Sequence, residues 1–418
     1  MHRFVIVAAL LLIAVSGCVS NDDRSPDNNN ADTQSRSVND KKIAKTRRPK
    51  AKPRPPGIRP AQIKAVWVDA WGPGFTTAGE CDDLIQWCLA QGFNTLLVEV
   101  RRTGDAYFDS QLEPRGMIGE SGRPISRDFD PLQYLVEEAR DVHGLRVEAW
   151  VVANRIWVGT RAPRPSTPGH IVSSHPDWLL INRDGKTHAG EKPTWYTDPS
   201  NLGARQHLAN VCSDIATRYR VDAIHLDYIR YPDHNWGFGK TSLASYRLDM
   251  KTSAFPATKS SSFIDWRANQ VTKQVRRIRR VMRERAPAVE LTVAALAWGK
   301  PPTGGYKKSA GYRSACQDWP RWSREDLTDI TYVMHYRRES DANQSREFRA
   351  WMPILKDEIR SHDQLVIGLG SYLNSPSSVR RQLRLAMEAK TRGIAVFSYR
   401  NPSDATGRVS MKDLLGSN

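Results

Sequence analysis

The sequence predicts an α/β fold, a (β/α)₈ barrel of the TIM type, and three observations carry that reading. From residue 63 onward, short β-branched or apolar runs alternate with amphipathic helical patterns, which is the signature of a parallel sheet. The runs number eight over about 350 residues, the count and length that suit a closed barrel with long loops. A doubly wound open sheet is the alternative, but "VDAWGPGFTTAGE" after the first run lacks the G-x-G-x-x-G spacing of a phosphate loop.

Taken in order, "IKAVWVDAW" (63–71) is the first strand and "AGECDDLIQWCLAQG" its helix, closed by a glycine. "TLLVEVR" (95–101) precedes "DPLQYLVEEARDVHG", and "RVEAWVVANR" (146–155) precedes "ARQHLANVCSDIATRYR". "AIHLDYIRYP" (223–232) leads to the strongly basic "ANQVTKQVRRIRRVMRERA". "LTVAALAW" (291–298) and "ITYVMHYR" (330–337) follow, the latter before "SREFRAWMPILKDEIRSH". "LVIGLGSYL" (365–373), "SSVRRQLRLAMEAKTRG" and "GIAVFSYRNP" (393–402) complete the count. The long segments 102–130 and 156–200 follow strands two and three, so in a barrel they wall the C-terminal face, where active sites lie.

Residues 1–62 fall outside this pattern. "MHRFVIVAALLLIAVSGC" has a basic start and an apolar run too short to span a bilayer, as a secretion signal has. Its end, "VSGC", resembles a lipobox, which implies cleavage before Cys18 and lipidation of that cysteine; the alternatives are an ordinary signal peptide or an uncleaved anchor. Residues 19–62 hold almost no large apolar side chains and cannot offset the entropy of ordering, so they read as a disordered, basic, Pro-rich tether. About forty residues at roughly 3 Å each reach on the order of 100 Å. The expected organisation is therefore signal 1–18, tether 19–62 and barrel 63–418.

The net charge is +17. Residues 41–64 hold ten Lys or Arg and no acid, and residues 1–40 hold three against five Asp, so +9 remains in the body. Such a surface attracts nucleic acid, anionic lipid or acidic polysaccharide. For an exported chain the last two are the relevant partners, and nucleic acid is not expected. Cys81 and Cys88, seven apart on a helix, lie about 10 Å from each other, too far for a disulfide. Mostly buried thiols are expected for them and for Cys212 and Cys316, with a disulfide to either of the latter left open. No zinc spacing occurs, and no metal or cofactor is expected.

With a side-chain period of two, polar and aromatic groups converge on the strand ends. Trp67, Asp69 and Trp71 end strand one; Glu99 and Arg101 strand two; Glu148, Trp150 and Asn154 strand three; His225 and Asp227 strand four. Trp298, His335 or Tyr336, Tyr372 and Tyr399 end strands five to eight. Carboxyls among aromatics suit a carbohydrate, whose C–H faces stack on rings while its hydroxyls need hydrogen bonds. A salt bridge between Glu99 and Arg101, or an Arg partner for Glu148 deep in the barrel, is the structural alternative. His225 reads as a packing or supporting histidine beneath Asp227.

"VWVDAW", "VEVRRTGDAYF", "HPDWLLINRDGKT" with "YTDPSN", and above all "RYRVDAIHLDYIRYP" resemble the glycosyl-hydrolase-like 10 family, exported (β/α)₈ proteins linked to bacterial cell-wall glycan. The resemblance runs in order from about residue 63 to 400. It implies a glycoside hydrolase of the cell envelope, with peptidoglycan glycan strands as substrate, carried as a lipoprotein (on the outer membrane facing the periplasm in a Gram-negative cell). Asp227 falls on the family's acidic strand-four position, and Arg101 and Asp105 on its R-x-x-G-D-A motif. Two positions depart from the pattern. Tyr228 stands where many members have a second acid, and Glu99 where many have Gln.

Glycoside hydrolysis needs two carboxyls flanking the bond. Asp227 is expected as nucleophile or base, with Glu339 of "RRESD" as general acid and Glu148 and Glu99 in reserve. Arg101, Asp105, Asn154, His225, Trp298, His335, Tyr336, Tyr372 and Tyr399 are the expected substrate contacts. A lipid-tethered glycan-binding protein without catalysis is the competing reading. A metal-dependent deacetylase using His225, Asp227 and His234 is a third.

Overall fold

A computed structural model describes residues 57–399 except 73, 119–122 and 189–192, all within one compact unit, residues 53–418. The expected signal peptide, Cys18 and the tether up to residue 56 lie outside the described residues. Eight parallel strands close into a barrel in chain order: β1 (Ile63–Val68), β2 (Thr95–Arg101), β3 (Arg146–Val152), β4 (Ala223–Asp227), β5 (Glu290–Leu296), β6 (Ile330–Met334), β7 (Leu365–Gly370) and β8 (Gly393–Phe397). β8 pairs back onto β1, with Ile63 opposite Gly393 and Trp67 opposite Phe397.

The helices between them start where the sequence supplies caps. Thr77 caps α1 (Ala78–Gln91), which ends at Gly92 in the left-handed conformation. Asp130 caps α2 (Pro131–Val142), whose second half widens into a π-helix. Asn201 caps α3 (Leu202–Arg218), Ser260 caps α4 (Ser261–Arg285), and α5 (Trp319–Arg324) is short. Asp341 caps α6 (Ala342–Glu358) and Ser375 caps α7 (Pro376–Glu388).

Most strands are shorter than their apolar runs. β4 stops at Asp227 because Tyr228 turns to φ 49°, and β3 breaks at Ala153–Asn154 before resuming as a ribbon, Arg155–Val158 paired with Thr194–Tyr196. A smaller ribbon, Met117–Ile118 with Arg123–Pro124, forms in the loop after β2. An additional helix, Lys240–Met250, precedes α4.

Outward-facing side chains of the strands pack against the helices in the main core. The inward-facing Ile63, Ala65, Trp67, Leu97, Trp150, Val152, Tyr332, Val366 and Ala395 fill the barrel. Gly368 makes room for this filling, since a Cβ there would lie 2.7 Å from the Val333 carbonyl oxygen and 3.0 Å from the Trp67 ring.

Residues 57–60, expected in the tether, instead cover the N-terminal end of the barrel. Ile58 donates its N–H to Asp222 Oδ1 at 2.7 Å, Arg146 Nη1 donates to the Ile58 carbonyl, and Arg59 pairs with Glu290 at 3.0 Å. Cys81, Cys88, Cys212 and Cys316 are all buried free thiols. Among the described residues no helix is long and apolar enough to cross a membrane.

Candidate active site

At the C-terminal rim of the strands, Trp67, Asp69, Trp71, Glu99, Trp150, Arg155, Asp227, Tyr228, Arg230, Met334, Tyr336, Tyr372 and Phe397 line a cleft of about 270 Å³. Two larger surface hollows lie on the outer helices and contain no such mixture of carboxyls and rings.

Asp227 ends β4 with only 5% of its surface exposed. Its Oδ1 accepts the Tyr228 N–H at 2.6 Å and pairs with Arg230 Nη1 at 3.3 Å. The left-handed backbone at Tyr228 is strained for a bulky residue. It ends the strand at the carboxylate and turns the tyrosine ring between two guanidiniums, Arg155 and Arg230, each 4.1 Å from the ring centroid.

Glu99, on β2, is the second buried carboxyl of the cleft. Its Oε2 accepts the Ala70 N–H at 2.9 Å, while Oε1 stands 3.9 Å from Arg155. Burial pushes its pKa up to about 8, and the neighbouring Asp69 adds to the rise, against the opposing pull of Arg155, the Ala70 N–H and Arg102. The acid therefore keeps its proton at neutral pH. Asp69, at the end of β1, accepts from Ser398 Oγ and the Trp71 N–H.

The other expected site residues occupy different places. Tyr336 and Tyr372 line the cleft, and Trp298 stands beside it, 37% exposed, with Arg230 5.2 Å from its ring centroid. Glu339, expected as general acid, does not line the cleft: Ser345 and Gln382 donate to it, and Arg349 and Arg381 pair with it beside α6 and α7. Glu148 lies deeper in the barrel, where Arg146, Thr292 and Tyr332 all donate to it. Burial opposes its ionisation, but Arg146 and these hydrogen bonds prevail and hold its pKa below the usual value.

His225 is also interior. Trp67 Nε1 donates to its Nε2 at 3.2 Å, so the ring proton sits on Nδ1 and is donated to Thr292 Oγ1 at 2.9 Å. Burial lowers its pKa to about 4, leaving a neutral imidazole under Asp227. Both nitrogens are thus engaged, and among the described residues no three His, Cys, Asp or Glu side chains group as metal ligands. The deacetylase reading has no ligand set there.

Arg101 does not pair with Glu99. It makes a buried pair with Glu113 at 2.6 Å and donates to the Val152 and Ala153 carbonyls. Asp105 accepts from the Thr103 N–H and hydroxyl, and Asn154 bonds Gln274. His335 stacks on Phe348, and Tyr399 packs on Trp87 outside the barrel. Each of these five is committed to a protein partner and none lines the cleft. Arg155 and Arg230 were missed as site residues, although "NRIW" and "YIRYP" put both just past strand ends.

A family model described as glycosyl hydrolase-like 10 matches residues 63–382. The chain belongs to the glycosyl hydrolase-like 10 family. Among its relatives, glycosyl hydrolase DigH of Escherichia coli K12 is 24% identical over 309 residues, 69% of this chain and 64% of that protein. Glycosyl hydrolase YngK of Bacillus subtilis is 26% identical over 250 residues, 58% of this chain and 45% of that protein. The chain thus spans less than two thirds of the length of either relative. The glycoside hydrolase domain of PgaB (BpsB) from Bordetella bronchiseptica superposes with a TM-score of 0.61 at 12% identity, covering 83% of this chain and 97% of that one. An α-L-fucosidase from Paenibacillus thiaminolyticus superposes at 0.57 with 11% identity, covering 84% and 48%. These likenesses are of fold. Glu99 and Tyr228 both line the cleft.

Proposed function

We propose that this protein is a glycoside hydrolase of the bacterial cell envelope, with peptidoglycan glycan strands as substrate, and that Glu99 and Asp227 are its catalytic carboxyls. The observation that carries the pairing is that Glu99 and Asp227 are buried carboxyls lining one cleft, and burial there pushes the pKa of Glu99 up to about 8. A general acid must be protonated at the working pH, and burial beside another carboxyl produces that state.

In this reading Glu99 Oε2 is anchored by the Ala70 N–H, and Oε1 presents the proton to the glycosidic oxygen. As the bond breaks and the leaving sugar takes that proton, Asp227 either attacks the anomeric carbon itself, to be displaced by water, or takes a proton from the water that attacks that carbon, so that water supplies the new hydroxyl in both cases. Arg230 and the Tyr228 N–H hold Asp227 in one orientation. Trp71, Tyr336, Tyr372 and Phe397 supply ring faces for the sugars. Glu339, bound up beside α6 and α7, has no part in this scheme.

The competing reading, a glycan-binding protein without turnover, draws on Tyr228 at a position where many members have an acid. Purified sacculi separate the two. The wild-type protein should generate new reducing ends, and Asp227→Asn should lose at least 10²-fold of that rate, of the order expected for a catalytic carboxyl, with an unchanged circular dichroism spectrum. Binding with no new reducing ends would contradict the hydrolase reading.

A further inference from the structure

Arg155 is the cation of the cleft whose hydrogen-bond donors are least used. Arg230 is paired with Asp227, and Arg102 donates to the Ala70 carbonyl while lying over the Trp71 ring at 4.3 Å. The nearest carboxyl oxygen to Arg155, Glu99 Oε1, is 3.9 Å from Nη2, beyond hydrogen-bonding distance. The Arg155 Nε atom is buried with no hydrogen-bond partner, and its guanidinium donates to no other side chain among the described residues. A mostly buried guanidinium held only by a carboxyl 3.9 Å away and by a ring face keeps hydrogen-bond donors unused, and an anion in the cleft would supply their acceptors.

Two more residues that line the cleft carry a polar atom without a hydrogen-bond partner. Trp150 Nε1, on a residue only 4% exposed, has no partner, and neither has Tyr336 Oη. Near neutral pH Glu99 retains its proton and does not neutralise Arg155.

We propose that Arg155 binds a carboxylate carried by the sugar in the cleft, so that the protein selects an acidic sugar residue over its neutral counterpart. The planar fork of a guanidinium matches a carboxylate through two parallel hydrogen bonds. The Arg155 guanidinium lies over the Tyr228 ring, 4.1 Å from the centroid, which limits how it can move. A phosphate dianion suits the cleft less well, because Asp69 and Asp227 line it too and each would repel the second charge. This inference rests on the cleft being a glycan site; it does not depend on turnover.

The test is calorimetric binding at neutral pH to the Glu99→Gln variant, whose uncharged amide preserves the charge beside Arg155. The probes are peptide-free glycan strands from sacculi, carrying one lactyl carboxylate per disaccharide, and the same strands with those carboxylates converted to amides by carbodiimide and ammonia. The acidic strands should bind at least about tenfold more tightly. Adding Arg155→Met should bring the ratio to about one, and adding Arg155→Lys should retain part of it, which guards against a fold defect. Equal affinity for both strands, or a ratio that survives Arg155→Met, overturns the role of Arg155. Failure of both strands to bind overturns the glycan site itself, and the inference with it.

Discussion

Asp227 and Tyr228 are adjacent in the chain yet face different problems, one a buried carboxyl needing hydrogen-bond donors at a rim and the other needing a place for a large ring. The left-handed turn at Tyr228 serves both, putting its N–H on the carboxylate and its ring between two arginines. Glu99 has the opposite environment. In the unfolded chain a Glu titrates near 4.5, and folding raises this to about 8, so the folded state binds the extra proton between those values. That contribution to stability is complete below about pH 4.5 and is lost as pH rises through about 8, with a slope of up to about 1.4 kcal/mol per pH unit. Glu99→Gln removes the linkage, so its melting temperature relative to wild type should rise from pH 5 to about pH 8 and level off above it; a constant difference would contradict the assigned environment. Sequence periodicity names the face of a residue but not its depth, so it leaves Glu148 among the candidate carboxyls, although the Arg partner deep in the barrel that the sequence also allows is the one it has, in an interior network with Arg146, Thr292, Tyr332 and the packing histidine His225. Arg101 and Asp105 carry a family motif, but their partners, Glu113 and Thr103, come from loop geometry that no local pattern encodes.

The eight strands were legible because each apolar run is bounded by helix caps, glycines or polar turns. Their ends were not, since a run such as "AIHLDYIRYP" stays apolar while the backbone has already left the sheet at Tyr228. Closure of the barrel depends on a residue that pattern alone does not single out. Gly393 starts β8 at φ 156°, and a Cβ there would fall 2.0 Å from the Ile63 carbonyl oxygen. Both the conformation and the contact forbid a side chain, so Gly393→Ala should destabilise by about 3 kcal/mol or more. Chemical denaturation would measure this, and a loss within about 0.5 kcal/mol, as at an indifferent surface site, would show that the β8–β1 seam tolerates a side chain. The ribbon after β3 belongs to the same scale. It begins at Arg155 because the strand breaks at Asn154, whose side chain is tied to Gln274 of α4.

For the molecule as a whole, the chain enters the barrel at the end opposite the cleft, through Ile58 and Arg59. We propose that Cys18 bears a lipid and that the residues after it tether the barrel to a membrane surface. Cys18→Ser should move the protein from the membrane pellet to the soluble fraction of its native bacterium, and retention in the pellet would contradict the anchor. The fold class, the family and the position of Asp227 were all readable from strand count and one motif. The partner of Asp227 was not, because choosing among Glu99, Glu148 and Glu339 requires knowing which of them faces the cleft and which are already bound by arginines. The most direct test of that choice is the pH dependence of kcat/KM on peptide-free glycan strands, which reports groups of the free enzyme. Wild-type activity should fall above about pH 8 as Glu99 loses its proton. Glu99→Gln should lose about 10²–10⁴-fold at neutral pH, with the alkaline limb gone from what remains. A Glu99→Gln variant with wild-type activity and an unchanged alkaline limb would contradict the assignment.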